Sequence, residues 1–116
     1  MLESLGNRKF DCAVFVYCQD IKFIENICRN YLHTTGRAII INPTFIIDFA
    51  IPLEMLNGSG KQVRWIVNNL EESIAQIHEF ELIDFVYMDT LDEAKISLLS
   101  SRLKKSAVII TKDQIC

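Results

Sequence analysis

The sequence predicts a single α/β domain over residues 1–116, a small mixed sheet covered by helices in the order β-α-β-α-α-β-α-β. Three observations predict this class. Short apolar runs alternate with amphipathic stretches along the whole chain. Half of the residues are hydrophobic, which is enough for a core at this length. The chain has only four glycines and two prolines, and no linker or low-complexity segment interrupts the pattern.

The first part of the chain reads as strand, helix, strand. Residues 10–18 form a continuous apolar segment, which is typical of a central strand. Asp20 follows as a candidate N-cap, and apolar residues then recur at helical spacing as far as a stop at Gly36. A β-branched run predicts a strand over residues 37–42. Pro43 ends this strand because proline has no backbone N–H to donate.

The rest of the chain predicts three helices and two strands. Residues 48–57 predict a short helix, and residues 61–77 predict the longest one, because apolar side chains recur there at steps of three and four. These side chains are Val63, Val67, Leu70, Ile74 and Ile77. A strand over residues 82–88 follows. Thr90 and Glu93 have the capping-box form at the start of a helix that reaches about residue 105, and the last strand covers residues 107–111.

Composition excludes several function classes. The net charge of −3 and the pI near 5.3 disfavour a stand-alone nucleic-acid binder, which would need a local basic patch or a basic partner. The cysteine spacings match neither a zinc site nor a redox pair, so Cys12 and Cys18 read as small hydrophobes in a strand. No signal peptide or membrane-spanning run is apparent. We therefore expect a soluble cytoplasmic protein, also nuclear if the source is eukaryotic, without membrane association.

The sequence shows none of the common catalytic motifs. It lacks the glycine-rich fingerprint of dinucleotide sites, the phosphate-binding loop and the nucleophile elbow. Both histidines, His33 and His78, lie in polar stretches and read as solvated. Five acids fall near predicted strand ends, as topology alone would place them in an α/β fold. They are Asp11, Asp20, Asp84, Asp89 and Asp113. We predict no catalytic residue, metal or cofactor, and no enzyme.

Two surfaces are candidates for binding. Trp65 and Ile66 lie off the apolar stripe of the predicted long helix, where they form a partner surface or a wider core face. Cations at the start of that helix and near the end of the chain could contact phosphate, or could be ordinary surface charges. They are Lys61, Arg64, Arg102, Lys104 and Lys105.

Residues 41–48, Ile-Asn-Pro-Thr-Phe-Ile-Ile-Asp, resemble the small kinase-binding subunit of the KEOPS (EKC) tRNA-modification complex, the PRPK-binding protein family. The resemblance extends to residues 12–29, where an apolar strand leads into a helix start, and to a Glu-Leu-Ile segment followed by Leu-Asp-Glu-Ala at residues 91–94. The chain departs from the family at residues 75–76, 85–87 and 98–99, where it lacks a Thr-Arg pair, a Leu-Ser turn and a Phe-Gly.

The resemblance implies a non-catalytic subunit. Such a subunit docks on the small atypical kinase/ATPase of the complex and helps to recruit tRNA for threonylcarbamoylation of adenosine. Trp65, Ile66 and Phe49 would then form the partner surface. The five cations named above would contact RNA.

Two other functions fit the sequence. One is a small nucleotide-processing enzyme of deoxyribosyltransferase-like fold, with an Asn-Pro after the second strand and strand-end acids as nucleophile and base. The other is a free-standing interaction module that self-associates through the Trp65 edge.

Overall fold

The computed structural model describes residues 5–77 and 82–112 and contains five strands that alternate with helices. In chain order the elements are β1 (Phe10–Val16), α1 (Ile21–Asn30), β2 (Leu32–Asn42), a 3-10 turn (Ile47–Phe49) that continues into α2 (Ala50–Gly58), β3 (Gln62–Val67), α3 (Leu70–Ile74), β4 (Ile83–Met88), α4 (Glu93–Leu99), a 3-10 turn (Ser100–Arg102) and β5 (Leu103–Thr111).

The strands form one parallel sheet in the order β3-β2-β1-β4-β5. Helices α1 and α2 pack on one face, where Ile24 and Leu53 share a core with Phe15 of β1. Helices α3 and α4 pack on the other face, where Leu70 and Leu99 belong to a second core. After β3 the chain crosses back over the sheet to place β4 beside β1. The strand order therefore reverses between β1 and β4.

The central strands are apolar on both faces because both faces are covered. In β1, Phe15 points into the first core and Val14 and Val16 point into the second. This confirms the predicted α/β class and the predicted central strand.

The predicted long helix over residues 61–77 is wrong. Its first half is the edge strand β3, in which Trp65 lies opposite Ile40 of β2. Asn69 then caps the short helix α3, accepting a hydrogen bond from the backbone N of Glu72 at 2.8 Å. The observed order is β-α-β-α-β-α-β-α-β, and the sheet is parallel rather than mixed.

Several predicted helix boundaries also move. Asp20 caps α1 as predicted, accepting from Phe23 N at 3.1 Å. Gly36, however, lies inside β2, where an added Cβ would come within 2.8 Å of Leu32 Cγ and 3.0 Å of two carbonyl oxygens. Asp92, not Thr90, caps α4.

Asp84 bridges the amino ends of two central strands. Its carboxylate accepts hydrogen bonds from the backbone N of Asp11 at 2.8 Å and of Cys12 at 3.0 Å, and it is 7% exposed. The register of β1 with β2 shifts between Phe10 and Cys12, and that of β4 with β5 shifts between Ile83 and Phe85. The Asp84 side chain thus accepts hydrogen bonds from two backbone N–H groups of β1 at an irregular point of the sheet.

Lys104 of β5 adds charge to this amino edge, with Nζ 2.9 Å from Asp11 Oδ2 and 3.5 Å from Asp84 Oδ2. The hydrogen bond from Lys104 lowers the pKa of Asp11, and the hydrogen bond to Asp11 raises the pKa of Lys104. The contribution of Asp11 to stability is therefore present above its ordinary pKa of 3.8 and is lost as the pH falls through the lowered value. The contribution of Lys104 to stability is present below its ordinary pKa of 10.5. It is lost as the pH rises through the raised pKa.

We expect Lys104→Met to flatten the acid limb of the stability curve between about pH 5 and pH 2. Because Asp11 is largely exposed, the effect on the free energy of unfolding at neutral pH should stay below about 1 kcal/mol. Urea denaturation at a series of pH values measures it, with Lys105→Met on the same strand as control. Parallel acid limbs for wild type and Lys104→Met would show that the pair contributes nothing.

Candidate functional site

The reversal of strand order places a crevice at the carboxyl ends of β1 and β4. In open parallel α/β sheets, ligands bind outside the carboxyl ends of the strands at this switch point. Residues 17–20 follow β1, and Asp89 and Thr90 follow β4. These two segments are therefore the candidate site.

Tyr17 gives the turn after β1 an unusual shape. Its φ is 59°, the left-handed region that favours glycine and costs another residue about 1–2 kcal/mol. Its hydroxyl accepts a hydrogen bond from Leu70 N at 2.9 Å, and Lys95 Nζ lies 4.8 Å from the centroid of its ring. The ring thus spans from the turn to α3 and α4.

Asp20 occupies the start of α1. A helix N-terminus is a ready site for phosphate because its first N–H groups lack partners. Here one carboxylate oxygen of Asp20 accepts from Phe23 N, and the negative charge stands where an anion would bind. The start of α1 is therefore unsuited to a phosphate group.

Cys18 and Tyr87 are buried core residues that contact Asp20 and Asp89. Cys18 Sγ lies 3.6 Å from the carbonyl oxygen of Asp20, and the Tyr87 hydroxyl donates to Asp89 Oδ1 at 3.2 Å. Burial, with smaller contributions from the charges of Asp20 and Asp89, raises the pKa of Cys18 to about 12. Burial also raises the pKa of Tyr87, with contributions from Cys18 and the same two carboxylates. Both acids therefore lie around one point, and the thiol stays protonated and unreactive.

Asn42, the residue after the isoleucine run of β2, holds the turn in place. Its Nδ2 donates to the carbonyl oxygen of Cys18 at 3.1 Å, and its Oδ1 accepts from Trp65 Nε1 at 3.1 Å. The side chain is fully buried, so both of its polar atoms act inside the protein. Asn42 fixes the end of β2 to the turn after β1 and to the edge strand β3.

The structure places the predicted partner residues mostly in the core. Phe49 is 1% exposed and Ile66 is 7% exposed, so neither offers a surface. Trp65 is partly buried, because Phe45 stacks on its ring with centroids 4.8 Å apart. Phe45, which we did not predict, is the accessible aromatic residue at this place.

The predicted RNA-contacting cations do not share one face. Lys61 donates to Leu32 O at 3.1 Å and Arg64 to Gln76 O at 2.6 Å, both at the β3 edge. Arg102, Lys104 and Lys105 lie before or on β5, which is the opposite edge of the sheet. RNA contact by this set stays a prediction that the arrangement does not favour.

The strand-end acids divide between the two ends of the sheet. Asp11 and Asp84 lie at the amino edge, where His33 Nε2 is 3.8 Å from Asp11 Oδ1, while Asp20 and Asp89 lie at the carboxyl edge. His78 and Asp113 lie outside the described residues.

Cys12 and Cys18 are buried, as expected for small hydrophobic residues, and Cys28 is buried as well. Within the described part of the chain, no cluster of His, Cys, Asp and Glu could hold a metal ion. No helix of that part is long and apolar enough to cross a bilayer.

Comparisons with known proteins give similarity in structure alone. No family model and no curated protein matches the chain. A methyltransferase from Geobacter sulfurreducens superposes with a TM-score of 0.69 at 15% identity, covering 90% of this chain and 53% of that one. A protein from Corynebacterium glutamicum superposes with a TM-score of 0.64 at 12% identity, covering 95% and 52%. The chain thus spans about half the length of both neighbours, and the likeness shows the fold.

These neighbours correct the functional prediction. A non-catalytic subunit of the KEOPS complex was expected, and so was the absence of enzymatic activity. Both expectations are contradicted, because the chain shares its fold with a methyltransferase and none of the structural neighbours described is a KEOPS protein. The family resemblance and the kinase and tRNA partners stay predictions. The deoxyribosyltransferase-like enzyme and the free-standing interaction module also stay predictions.

Proposed function

We propose that this domain is a methyltransferase-type enzyme domain that binds a cationic methyl donor at the carboxyl edge between β1 and β4. The observation that carries the proposal is the pair of acids that follow the neighbouring parallel strands β1 and β4, with Asp20 in contact with Cys18 and Asp89 bonded to Tyr87. The fold shared with a methyltransferase supports it. The buried free thiols of Cys18 and Cys28 suit a reducing compartment, and we place the activity in the cytoplasm.

The chemistry of the crevice distinguishes between classes of nucleoside ligand. A dinucleotide needs a glycine turn and a free helix N-terminus for its pyrophosphate, and this chain has Tyr17 and the capping carboxylate of Asp20 instead. S-adenosylmethionine carries no phosphate and has a positive sulfonium and a positive amino group. Two carboxylates suit such a ligand, because they attract its positive groups.

Each residue of the crevice has a separate role in this proposal. Asp20 and Asp89 bind the positive groups of the donor, which when bound supplies an activated methyl group. The Tyr87 hydroxyl orients Asp89 through its hydrogen bond. Tyr17 closes the side that faces α3 and α4 and excludes water there. Cys18, protonated and buried, takes no methyl group itself.

We expect the wild-type domain to bind S-adenosylmethionine and Asp89→Asn to bind it roughly 10- to 100-fold more weakly, since a charge-assisted contact contributes about 1.5–3 kcal/mol. Asparagine keeps an oxygen for the Tyr87 hydroxyl, so the fold should not change. Asp20→Asn should weaken binding similarly, because asparagine still caps α1. Isothermal titration calorimetry measures the affinity of all three proteins for S-adenosylmethionine.

Asp48→Asn is the matched control, since Asp48 is exposed on the 3-10 turn before α2. Its affinity for the donor should equal that of the wild type. Lack of binding by the wild type at millimolar donor would contradict the proposal. So would equal affinity in the Asp20→Asn/Asp89→Asn double variant, or tighter binding of NAD than of S-adenosylmethionine.

A further inference from the structure

Four large apolar side chains are exposed on α2 and on the segment that leads into it. Ile47, Ile51 and Met55 follow each other at intervals of four residues and are 71%, 70% and 60% exposed. Phe45, which is 58% exposed and stacked on Trp65, lies just before them in the chain. We call these four residues the α2 apolar surface.

The geometry of this surface is that of a helix ridge. Phe49, Leu53 and Leu56 fix the opposite side of the same helical segment in the first core. Residues spaced by four form a row that fits the groove between the side chains of another helix. Contiguous exposed apolar patches of this kind mark interaction sites on soluble proteins. A helix is therefore the element that fits best.

The two charged side chains of the segment that carries the ridge, Asp48 and Glu54, are both negative. At 100° per residue, Glu54 lies on one flank of the row and Asp48 on the other, and both are exposed. Between Asn42 and Gly60 the sequence contains no Lys, Arg or His. The ridge thus has an acidic border on both sides, with no cation in the segment that carries it.

We propose that the α2 apolar surface docks an amphipathic helix of a partner protein whose apolar face is bordered by Lys and Arg. Such a helix buries the ridge and places its cations against Asp48 and Glu54. A second copy of this chain would bring acids against acids. An anionic membrane would repel the same border, since it attracts basic rather than acidic helices. This inference does not depend on the proposed methyl transfer, because it rests on the exposure and charge of residues that have no role in that proposal.

The test is a selection from a displayed library of helical peptides. The apolar positions of the peptides vary among Leu, Ile, Met and Phe, and the flanking positions vary equally among Lys, Glu and Ser. The selection is carried out on the full chain and on the variant Ile51→Gln/Met55→Gln. The variant Leu82→Gln/Leu91→Gln, which changes two exposed apolar residues elsewhere, is the matched control. Thermal unfolding curves that coincide with the wild type establish that each variant folds.

We expect Lys-flanked peptides to be enriched at least about tenfold over Glu-flanked ones on the wild type and on the control variant. Selected peptides should lose at least tenfold in affinity for Ile51→Gln/Met55→Gln, and their binding should weaken as salt is added. Asp48→Lys/Glu54→Lys should reverse the charge preference. Enrichment that is equal on Ile51→Gln/Met55→Gln, or that shows no charge preference, would overturn the proposal. So would a wild-type dimer in sedimentation equilibrium that Ile51→Gln/Met55→Gln abolishes.

Discussion

Asp84→Ala is expected to lower the free energy of unfolding by about 3–5 kcal/mol, because it leaves two backbone donors of β1 without an acceptor. The donors are the N–H groups of Asp11 and Cys12, which bond to the carboxylate at 2.8 and 3.0 Å. Alanine provides no substitute acceptor, and the register of the neighbouring strands is irregular at this point. Lys104 also loses one of its two carboxylates.

Urea denaturation followed by far-UV circular dichroism measures this loss. Asp84→Asn should fall between the wild type and Asp84→Ala, since it keeps one acceptor oxygen but places an amide donor opposite the other N–H. Asp48→Ala on the exposed 3-10 turn should change stability by less than about 0.5 kcal/mol. If Asp84→Ala lowered the free energy of unfolding by no more than Asp48→Ala does, the Asp84 carboxylate would have no structural role.

Asn42→Ala is expected to lower the free energy of unfolding by about 2–4 kcal/mol. It removes one partner from the buried carbonyl of Cys18 and one from the indole N–H of Trp65, and it leaves a small cavity at the end of β2. Since Asn42 holds the turn after β1, the same variant should also weaken binding at the crevice between Asp20 and Asp89.

A double-mutant cycle with Trp65→Phe separates the two halves of the Asn42 contact. Trp65→Phe removes only the indole donor and keeps an aromatic ring under Phe45. The losses of stability caused by the two substitutions should be less than additive, because both substitutions remove the same 3.1 Å hydrogen bond. Asn7→Ala, at an exposed position, is the control. Full additivity would show that the indole and the amide do not interact.

The sequence was sufficient for the fold class and for the central strands. Residues 10–18 and 82–88 are apolar on both faces, and only a strand covered on both sides requires this. The cap at Asp20 followed from local chemistry, because a carboxylate before an apolar periodic stretch bonds the free N–H groups of a helix start.

The error at residues 61–77 has a tertiary cause. Val63, Val67 and Leu70 have helical spacing, but the first two belong to β3 and Leu70 begins α3. Pairing of β3 with β2 supplies the hydrogen bonds that decide between strand and helix, and this pairing is invisible in a local window. Asn69, a good N-cap, was the signal that a new helix starts there.

The candidate site was predictable in its residue types but not in its grouping. Asp20 and Asp89 were both identified as strand-end acids, but so were Asp11 and Asp84. Separating the two pairs requires knowing that β1 and β4 are parallel neighbours, a contact between residues about 70 positions apart. The contribution of Tyr17 could not be predicted, because a left-handed tyrosine has no sequence signature.

Trp65 is the only tryptophan of the chain, and its position makes it a natural fluorescent reporter. Its indole nitrogen bonds to Asn42 beside the turn after β1, and its ring supports Phe45 at the α2 apolar surface. Unfolding would expose the indole to water and shift its emission to the red. Coverage of Phe45 by a docked helix would shield the indole and shift its emission to the blue. One intrinsic spectrum can therefore follow both folding and occupancy without any added label.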